Sequence, residues 1–450
     1  MAGERFDAVI IGAGPGGEVV AARLPKQGLR VALVERELLG GECAYWACIP
    51  SKTLLRPPEA RAEARRAFGL DEPAQRWPEI AAYRDKMIRN LDDSSQFEAY
   101  AETEGIDVFR GSGSIDGPGR VNVDGQVLET DRIVIATGTG ARIPPIDGLE
   151  QAGYWTNREA TTLKEVPRSV VILGAGPVGV ELGQMLRRYG AEVTLVESHD
   201  RLLSREEPGV GEMLADVLRE EGIRLHLGAR AEAVSRRDGD RVVRLEGGEE
   251  VTGQELVVAI GREPRVMGIG LESLGIEPDP EGIAIDERCR VMDGVWAIGD
   301  VTGAMPFTHV AKYHGRLVCD DIAGRPASVD LSAIPRVVFS DPEVAAVGLT
   351  TEQARAQGID VVESSADLYS STARSVTYGE GVGGRVTLLV DRGRGVVVGA
   401  WAVGPLASEW IHFAVLAIKT ATPVDVLRDT VPQFPTFAEA YQVALEKLEL

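Results

Sequence analysis

The chain has 450 residues, of which 44% are hydrophobic and 26% are charged, a composition typical of a folded protein with several domains. Its 48 Lys and Arg residues against 69 Asp and Glu residues give a net charge of −21, which argues against binding to nucleic acids or anionic membranes. No apolar run reaches the ~18–20 residues that span a bilayer, and no signal-peptide pattern is present, so we expect a cytoplasmic protein. Four cysteines are too few for a disulfide scaffold.

The first predicted elements form a pattern that occurs twice, at residues 9–36 and again at 171–198. Each copy shows an apolar strand, a glycine turn, an amphipathic helix, a glycine stop and a second apolar strand that ends in Glu. This order predicts a βαβ unit with two parallel strands. The coinciding residues are Gly12 and Gly174, Gly14 and Gly176, Gly17 and Gly179, Gly28 and Gly190, and Glu35 and Glu197.

The three spaced glycines of each copy have different physical roles. The first permits a tight turn, the second lets a pyrophosphate approach the backbone, and the third lets the helix pack closely on the strand. The helix N-terminus supplies N–H groups to the phosphates, and the terminal Glu can accept hydrogen bonds from a ribose. The alternative, two α/β units without a nucleotide, does not account for the full pattern in both copies. Two dinucleotide sites in one chain indicate electron transfer between two cofactors.

A cysteine pair follows the first copy, in the segment GGECAYWACIPSK at residues 40–52. Cys43 and Cys48 can form a disulfide only if the chain between them departs from an ideal helix. Pro50 suits the first turn of a helix through Lys52, and a thiolate at such a helix start is the reactive form of cysteine. The alternative is two buried cysteines without a redox role.

These motifs resemble those of the class I flavoprotein disulfide reductases, the family of dihydrolipoamide dehydrogenase, glutathione reductase and mercuric reductase. The resemblance extends over essentially the whole chain. It implies an α/β fold with two Rossmann-like dinucleotide-binding domains and a C-terminal α+β dimerisation domain. The implied domains are an FAD domain at 1–150 and 271–335, an NAD(P) domain at 151–270 and an interface domain at 336–450 that forms a homodimer.

The resemblance also implies roles for individual residues. The residues implied to bind FAD are Gly12, Gly14, Gly17, Glu35, Gly41, Lys52, Gly113, Thr137, Gly138, Asp300, Thr308 and His309. Those implied for the nicotinamide nucleotide are Gly174, Gly176, Gly179, Glu197 and Gly261. No metal site is expected.

The catalytic residues implied by the resemblance are Cys43, Cys48, Lys52, Glu181 and Glu439. Cys48 corresponds to the charge-transfer thiol beside the flavin, and Cys43 to the interchange thiol that faces the substrate. Lys52 is expected to pair with Glu181 and to favour the negative charge of reduced flavin. Glu197 can bind a ribose 2′-hydroxyl but repels a 2′-phosphate, so NADH is favoured over NADPH.

The C-terminus departs from the family pattern His-Pro-Thr-x-x-Glu. The chain has Phe434-Pro435-Thr436 and then Glu439, so Phe434 occupies the position of the general base. Because phenylalanine moves no proton, thiol–disulfide exchange loses a contribution of about 10²–10⁴ in rate. His309, His314 and His412 are the candidate replacements, although a lone histidine is more often a packed or surface residue.

Further departures concern the surroundings of the thiols and of the nicotinamide. Tyr45 and Trp46 place two large rings between the cysteines, and Glu42 adds a negative charge where threonine is frequent. Pro177 stands where some relatives have a tyrosine lid. The final residues lack a cysteine pair, which argues against a mercuric reductase.

The leading hypothesis is a homodimeric FAD enzyme that passes electrons from NAD(P)H to the Cys43–Cys48 disulfide and on to a small disulfide or similar acceptor. Three alternatives stay open. The protein is a reductase of quinones in which the cysteines are secondary, a genuine dihydrolipoamide dehydrogenase, or a redox-sensing flavoprotein with little turnover.

Overall fold

A computed structural model describes residues 4–379 and 382–449. The chain divides into two units, each assembled from three separate stretches. Unit one comprises residues 1–50, 82–142 and 261–330, and unit two comprises residues 51–81, 143–260 and 331–450.

The strands of the described residues are mostly short. In the first half of the chain they are β1 (Glu4–Arg5), β2 (Ala8–Ile11), β3 (Val31–Glu35), β4 (Ile106–Arg110), β5 (Gly113–Ile115), β6 (Arg120–Val123), β7 (Gln126–Glu129), β8 (Ile133–Ile135), β9 (Thr139–Ala141), β10 (Ser169–Leu173), β11 (Glu192–Glu197) and β12 (Arg224–Leu227). In the second half they are β13 (Ala231–Arg237), β14 (Asp240–Leu245), β15 (Glu250–Gly253), β16 (Glu255–Val258), β17 (Arg262–Pro264), β18 (Arg290–Met292), β19 (Val295–Ala297), β20 (Arg336–Val338), β21 (Glu343–Gly348), β22 (Val361–Asp367), β23 (Arg385–Asp391) and β24 (Val396–Gly404).

The helices vary in length from a single turn to 19 residues. They are α1 (Pro15–Arg23), α2 (Gly41–Tyr45), α3 (Cys48–Arg66), α4 (Trp77–Met87), α5 (Ser94–Ala101), α6 (Leu149–Ala152), α7 (Asn157–Thr162), α8 (Pro177–Arg188), α9 (Pro208–Glu220), α10 (Thr308–Ile322), α11 (Thr351–Ala356), α12 (Leu368–Ser371), α13 (Ala373–Tyr378), α14 (Ala407–Trp410), α15 (His412–Lys419), α16 (Val424–Arg428) and α17 (Glu439–Glu446).

Unit one is built on a six-stranded sheet with the order β18-β19-β8-β2-β3-β4. Strands β19, β8, β2, β3 and β4 are parallel, and β18 adds an antiparallel edge. Every residue of β2 and β3 is buried, as expected for central strands of a parallel sheet that is covered on both faces. The predicted first βαβ unit is therefore present as β2–α1–β3.

Two smaller sheets complete unit one. Strands β1, β7, β6 and β5 form a four-stranded sheet, and β9 pairs with β17 in an antiparallel ribbon. The ribbon brings residues 139–141 beside residues 262–264, more than a hundred positions later in the chain. A single-turn 3₁₀ helix at Gly299–Thr302 and the long helix α10 follow β19.

Unit two contains the second predicted βαβ unit, β10–α8–β11. It belongs to a parallel four-stranded sheet with the order β12-β11-β10-β16. An antiparallel meander, β13-β14-β15, follows β12 in the chain. Apolar side chains of β10, β11, α8 and α9 pack together in one large buried cluster.

The C-terminal part of unit two is a five-stranded antiparallel sheet with the order β20-β21-β24-β23-β22. Helices α14, α15, α16 and α17 bury apolar residues against β21, β23 and β24 in a second cluster. No helix among residues 4–379 and 382–449 is both long and apolar enough to cross a membrane.

Candidate active site

The first glycine turn, between β2 and α1 in unit one, shows why glycine is needed at two of its three positions. Gly12 has a φ of +105°, and a Cβ atom there would collide with the carbonyl oxygen of Ala136. A Cβ atom on Gly17 would collide with the carbonyl oxygen of Gly12. A Cβ atom on Gly14 would meet nothing within 4 Å. The backbone at Gly14 therefore borders open space at the N-terminus of α1, where a phosphate group fits.

Glu35 ends β3 and reaches back to this turn. One carboxylate oxygen accepts a hydrogen bond from Ala13 N at 2.8 Å, and the other accepts from Glu37 N at 2.8 Å. Each oxygen keeps a second lone pair, so the carboxylate can still accept a hydrogen bond from a ribose hydroxyl. The side chain is fixed in this position before any ligand binds.

The second glycine turn, between β10 and α8 in unit two, repeats this geometry. Gly174 has a φ of +99°, and a Cβ atom on Gly174 or on Gly179 would collide with backbone oxygens. A Cβ atom on Gly176 would again meet nothing within 4 Å. Glu197 accepts a hydrogen bond from Ala175 N at 2.8 Å, which is the counterpart of the Glu35–Ala13 bond.

Glu197 is held as a carboxylate. It also accepts hydrogen bonds from His199 N at 2.9 Å and from the His199 ring at 2.8 Å. Burial raises the pKa of Glu197, but the backbone hydrogen bonds from Ala175 and His199 outweigh burial, so the pKa is lowered. A negative charge therefore stands at the end of β11 at neutral pH.

The remaining residues implied to bind FAD within unit one lie at turns and at the ends of elements. Gly41 has a φ of +61°, and a Cβ atom there would lie 2.9 Å from the Cα of Gly14. Gly113 begins β5, and a Cβ atom there would meet Val34 and Ile11 at 3.0–3.1 Å. Gly261 has a φ of +134° and accepts a hydrogen bond from Arg142 N.

Thr137, Gly138 and Asp300 are linked to the ribbon of β9 and β17. Thr137 Oγ1 donates to the carbonyl oxygen of Arg265 at 2.9 Å, and Arg265 N donates to that of Gly138 at 2.9 Å. Asp300 accepts a hydrogen bond from Thr139 Oγ1 at 3.0 Å. Burial raises the pKa of Asp300, and the positive charges of Arg262 and Arg265 act against that rise.

Cys43 and Cys48 approach each other across a break in the helix. Helix α2 ends at Tyr45, and α3 begins at Cys48, so the intervening chain departs from an ideal helix as the sequence requires. The two thiols are within hydrogen-bonding distance, and Cys48 Sγ lies 3.4 Å from Thr308 Oγ1. Both cysteines are free thiols in this structure. Their shared hydrogen bond and then burial raise the pKa of the Cys43 thiol.

Thr308 is the first residue of α10, a 15-residue helix. Its contact with Cys48 places this sulfur at the positive end of the α10 dipole, which favours a thiolate. Lys312 lies one turn further along α10, and its charge lowers the pKa of Cys43, against the stronger effects that raise it. His309 stacks on Phe307, with ring centroids 5.2 Å apart.

The predicted pair of Lys52 and Glu181 is formed within unit two. Lys52 Nζ lies 2.7 Å from Glu181 Oε2, and the side chain of Glu181 is only 8% exposed. Glu181 Oε1 accepts a hydrogen bond from Phe339 N at 2.9 Å, and Lys52 Nζ lies 4.7 Å from the Phe339 ring centroid. Three elements thus fix the ammonium group.

The sequence analysis missed the partners of Glu42. Glu42 Oε1 lies 3.0 Å from Arg265 Nη2, and Glu42 Oε2 lies 3.8 Å from Arg262 Nη2. The expectation that Glu42 adds net negative charge beside the thiols was therefore wrong, because two guanidinium groups compensate it. Arg262 was noted in the sequence only as part of a glycine motif, and nothing local pointed to Arg265.

The two rings between the cysteines have different surroundings. Tyr45 is fully buried, and its hydroxyl donates to Gln96 Oε1 at 2.5 Å. Trp46 is half-buried, with its ring centroid 5.7 Å from that of Tyr45. Only the Trp46 ring therefore retains appreciable solvent exposure beside the thiols.

The segment with the expected general-base position lies in unit two, before α17. Phe434 is 75% exposed. Glu439 is the first residue of α17, and its carboxylate accepts a hydrogen bond from Thr436 N at 2.9 Å. Glu439 thus fixes the loop that carries Phe434.

Of the candidate replacement bases, His314 is the least suited. It is fully buried in α10 and accepts a weak hydrogen bond from Gly299 N at 3.3 Å. Burial lowers the pKa of His314 to about 4. His309 and His412 are exposed. The described residues contain no group of His, Cys, Asp and Glu side chains arranged to hold a metal ion.

Comparison with known proteins agrees with these features. The family model described as "Pyridine nucleotide-disulphide oxidoreductase" matches residues 6–315, and the model of the dimerisation domain of the same family matches residues 334–445. A dihydrolipoyl dehydrogenase of Bacillus subtilis is 33% identical over 97% of this chain and 96% of its own length. A mercuric reductase of Streptomyces lividans is 34% identical over 98% of this chain and 96% of its own length.

Solved structures extend the likeness to the whole fold. The HOCl-induced flavoprotein disulfide reductase RclA from Escherichia coli matches with a TM-score of 0.87 and 27% identity, over 99% of this chain and 100% of that one. LpdA from Mycobacterium tuberculosis matches with a TM-score of 0.87 and 28% identity over the same shares. Members of the matched family use FAD and a nicotinamide nucleotide. With its two glycine turns, its paired cysteines and both family domains, this chain belongs to the pyridine nucleotide-disulphide oxidoreductases and is an enzyme of that family.

Proposed function

We propose that the enzyme transfers two electrons from NADH through FAD to a Cys43–Cys48 disulfide, and from the dithiol to a small disulfide or similar acceptor. For a disulfide acceptor, NADH, one proton and RSSR yield NAD⁺ and two RSH. The observation that carries this proposal is the contact of Cys43, Cys48 and Thr308 at the break between α2 and α3. These residues belong to the same unit as the first glycine turn.

The residues of unit one fit FAD. The open space at Gly14, the N-terminus of α1 and the Glu35 carboxylate suit a pyrophosphate and an adenosine ribose. Asp300, with the Thr139 hydroxyl beside it, offers a carboxylate for a ribityl hydroxyl. When bound, FAD supplies an isoalloxazine ring that takes a hydride and releases electrons to sulfur.

The residues of unit two fit a nicotinamide nucleotide. Gly176 leaves the same open space, and the charged Glu197 favours a ribose 2′-hydroxyl over a 2′-phosphate. NADH is therefore the proposed donor. We further propose that the nucleotide domains are 1–150 with 271–335 for FAD and 151–270 for NAD(P), followed by an interface domain at 336–450.

The thiols divide the chemistry between them. Cys43 attacks the acceptor disulfide as a thiolate, which releases one RS⁻ and forms a mixed disulfide. Cys48 then attacks Cys43 Sγ, which releases the second RS⁻ and restores the protein disulfide. The α10 N-terminus stabilises the Cys48 thiolate, and the Lys52–Glu181 pair provides a fixed positive charge that we assign to the flavin ring.

Proton transfer to the leaving thiolate lacks the usual histidine in this proposal. Phe434 has no ionisable group, so water or the acceptor's own acidity must supply the proton. We propose a homodimer, supported by the match to the dimerisation domain and by the exposed Phe434 segment. In this arrangement each C-terminal segment lies at the partner's thiols.

An anaerobic titration with NADH tests the proposal. The FAD-loaded protein should lose its oxidised flavin absorbance and gain a long-wavelength thiolate-to-flavin charge-transfer band. The Cys48→Ser variant should bleach without that band, while Cys289→Ser, which changes a buried cysteine elsewhere in unit one, should retain it. A protein that binds no FAD, or whose flavin NADH never reduces, would refute the proposal.

The exposed apolar side chain of Phe434 favours a second candidate, reduction of quinones directly by the flavin. A quinone takes up electrons without the thiol chemistry that a histidine base assists. Steady-state assays of Cys43→Ala separate the two functions. Quinone turnover that survives while disulfide turnover is lost supports the second candidate, and loss of both supports the first.

A further inference from the structure

Helix α2, which carries Cys43, has little stability of its own. It contains only five residues, and it follows two glycines, Gly40 and Gly41, with φ values of +114° and +61°. A single helical turn does not persist in water without tertiary contacts. The position of the Cys43 thiol therefore depends on how the side chains of α2 are anchored.

One anchor is Tyr45, which is fully buried and bonded to Gln96. The other is Glu42, whose carboxylate spans Arg265 Nη2 at 3.0 Å and Arg262 Nη2 at 3.8 Å. The side chains of Glu42, Arg262 and Arg265 are 16%, 22% and 27% exposed. Ion pairs of this kind are screened by salt less than those at the surface. Cys43 lies between the two anchors.

The two arginines are themselves fixed. Arg262 Nε donates to Thr139 Oγ1 at 2.7 Å, and Arg262 Nη2 donates to the Thr139 carbonyl oxygen at 2.9 Å. The backbone of Arg265 is bonded to Gly138, and its carbonyl oxygen accepts from Thr137. The ribbon of β9 and β17 therefore presents a rigid pair of cations to α2.

We propose that Glu42, bound to Arg262 and Arg265, is a positioning residue that holds Cys43 within bonding reach of Cys48 and so sets the balance between dithiol and disulfide. This inference rests on the proposed redox role of the two cysteines. Loss of the anchor lowers the effective concentration of one thiol for the other, which shifts the balance towards the dithiol.

The test equilibrates the FAD-loaded protein, without NADH, in dithiothreitol redox buffers under argon. Oxidised dithiothreitol takes two electrons and two protons from the thiols, which form the disulfide. Alkylation and mass spectrometry of the peptides then give the fraction of Cys43 and Cys48 that is oxidised. The variants are Glu42→Gln, Arg265→Gln and their combination. Glu250→Gln, in the solvent-exposed ion pair with Arg237, is the matched control.

We expect each single variant to lower the equilibrium constant for disulfide formation at least fivefold, and the combination to lower it no further than the worse single variant. That non-additivity is the signature of one shared interaction. The control should match the wild type. A decrease below fivefold in both single variants, or effects that multiply in the combination, would overturn the inference. If the wild-type cysteines do not interconvert in any buffer, the proposed function itself fails, which is a different outcome.

Discussion

Lys52 and Glu181 form an ion pair at 2.7 Å although 129 residues separate them in the chain. The carboxylate is nearly buried, whereas the ammonium group keeps 37% of its side-chain exposure. A second hydrogen bond, from Phe339 N, holds the carboxylate in place. The pair thus presents a positive charge from a helix whose other end of the interaction is anchored in a different element.

Removal of Lys52 should destabilise the protein because it leaves the Glu181 charge without its partner. For Lys52→Met we expect the free energy of unfolding to fall by about 2 kcal/mol, less than for a fully buried pair because Lys52 is partly exposed. Urea denaturation followed by tryptophan fluorescence measures the change. Arg237→Met, from a solvent-exposed ion pair, should leave the midpoint unchanged. Equal effects of the two substitutions would contradict the role given to burial.

The glycine turns predict that two neighbouring substitutions have different effects. Gly14→Ala should leave folding intact, because its Cβ meets nothing, but should weaken FAD binding about tenfold by blocking the approach of the pyrophosphate. Gly17→Ala should lower the melting temperature, since its Cβ collides with backbone. Flavin retention during dialysis and thermal unfolding of the apoprotein measure the two effects. If Gly14→Ala unfolds the apoprotein as strongly as Gly17→Ala, the turn has another function.

Glu197 should determine the choice of nucleotide. Glu197→Gln removes the charge but keeps an oxygen to accept the hydrogen bond from Ala175 N, so we expect the ratio of kcat/KM for NADPH to that for NADH to rise about tenfold. Because the pKa of Glu197 is lowered, the wild-type preference should be constant above about pH 5. Asp200→Asn, which changes an exposed charge nearby, is the control. An unchanged ratio in Glu197→Gln would assign the preference to other residues.

Stability should depend on pH through His314. Burial lowers the folded-state pKa of His314 from 6.5 to about 4, so between these values the unfolded chain binds the proton that the folded chain excludes. Acidification through this window therefore reduces the free energy of unfolding, by about 3 kcal/mol when the transition is complete. Urea titrations at several pH values should give a smaller slope for His314→Gln than for the wild type. Parallel pH profiles would show that His314 takes up its proton without unfolding.

Restoration of a base at position 434 should accelerate disulfide reduction. Phe434→His is expected to raise kcat/KM for dihydrolipoamide-type substrates by about tenfold or more, whereas quinone turnover should not change. Phe434→Leu separates the gain of a base from the loss of an aromatic ring. Comparable turnover of the histidine variant and the wild type would mean that another group already handles the proton.

The sequence predicted the parts of the fold and site that depend on local spacing. Both βαβ units follow from periodic apolar residues and glycines, and the break between Cys43 and Cys48 follows from the geometry of a disulfide. The Lys52–Glu181 pair required the family resemblance, because neither charge differs locally from a solvated helix residue.

The contacts of Glu42 and Tyr45 were beyond sequence reasoning for a physical reason. Arg265 lies 223 positions after Glu42, and only the pairing of β9 with β17 brings its segment to the cations' final position. The direction of the Tyr45 ring depends on how a single helical turn ends, which no periodicity describes.

The close match of the two glycine turns has an evolutionary consequence. The same steric collisions, the same open position and the same carboxylate-to-backbone bond occur in both copies. Such agreement in backbone detail points to duplication of one ancestral segment that gripped a single dinucleotide. Divergence then came from what was appended to each descendant, with a thiol pair after the first and the Ser198–His199 pair after the second.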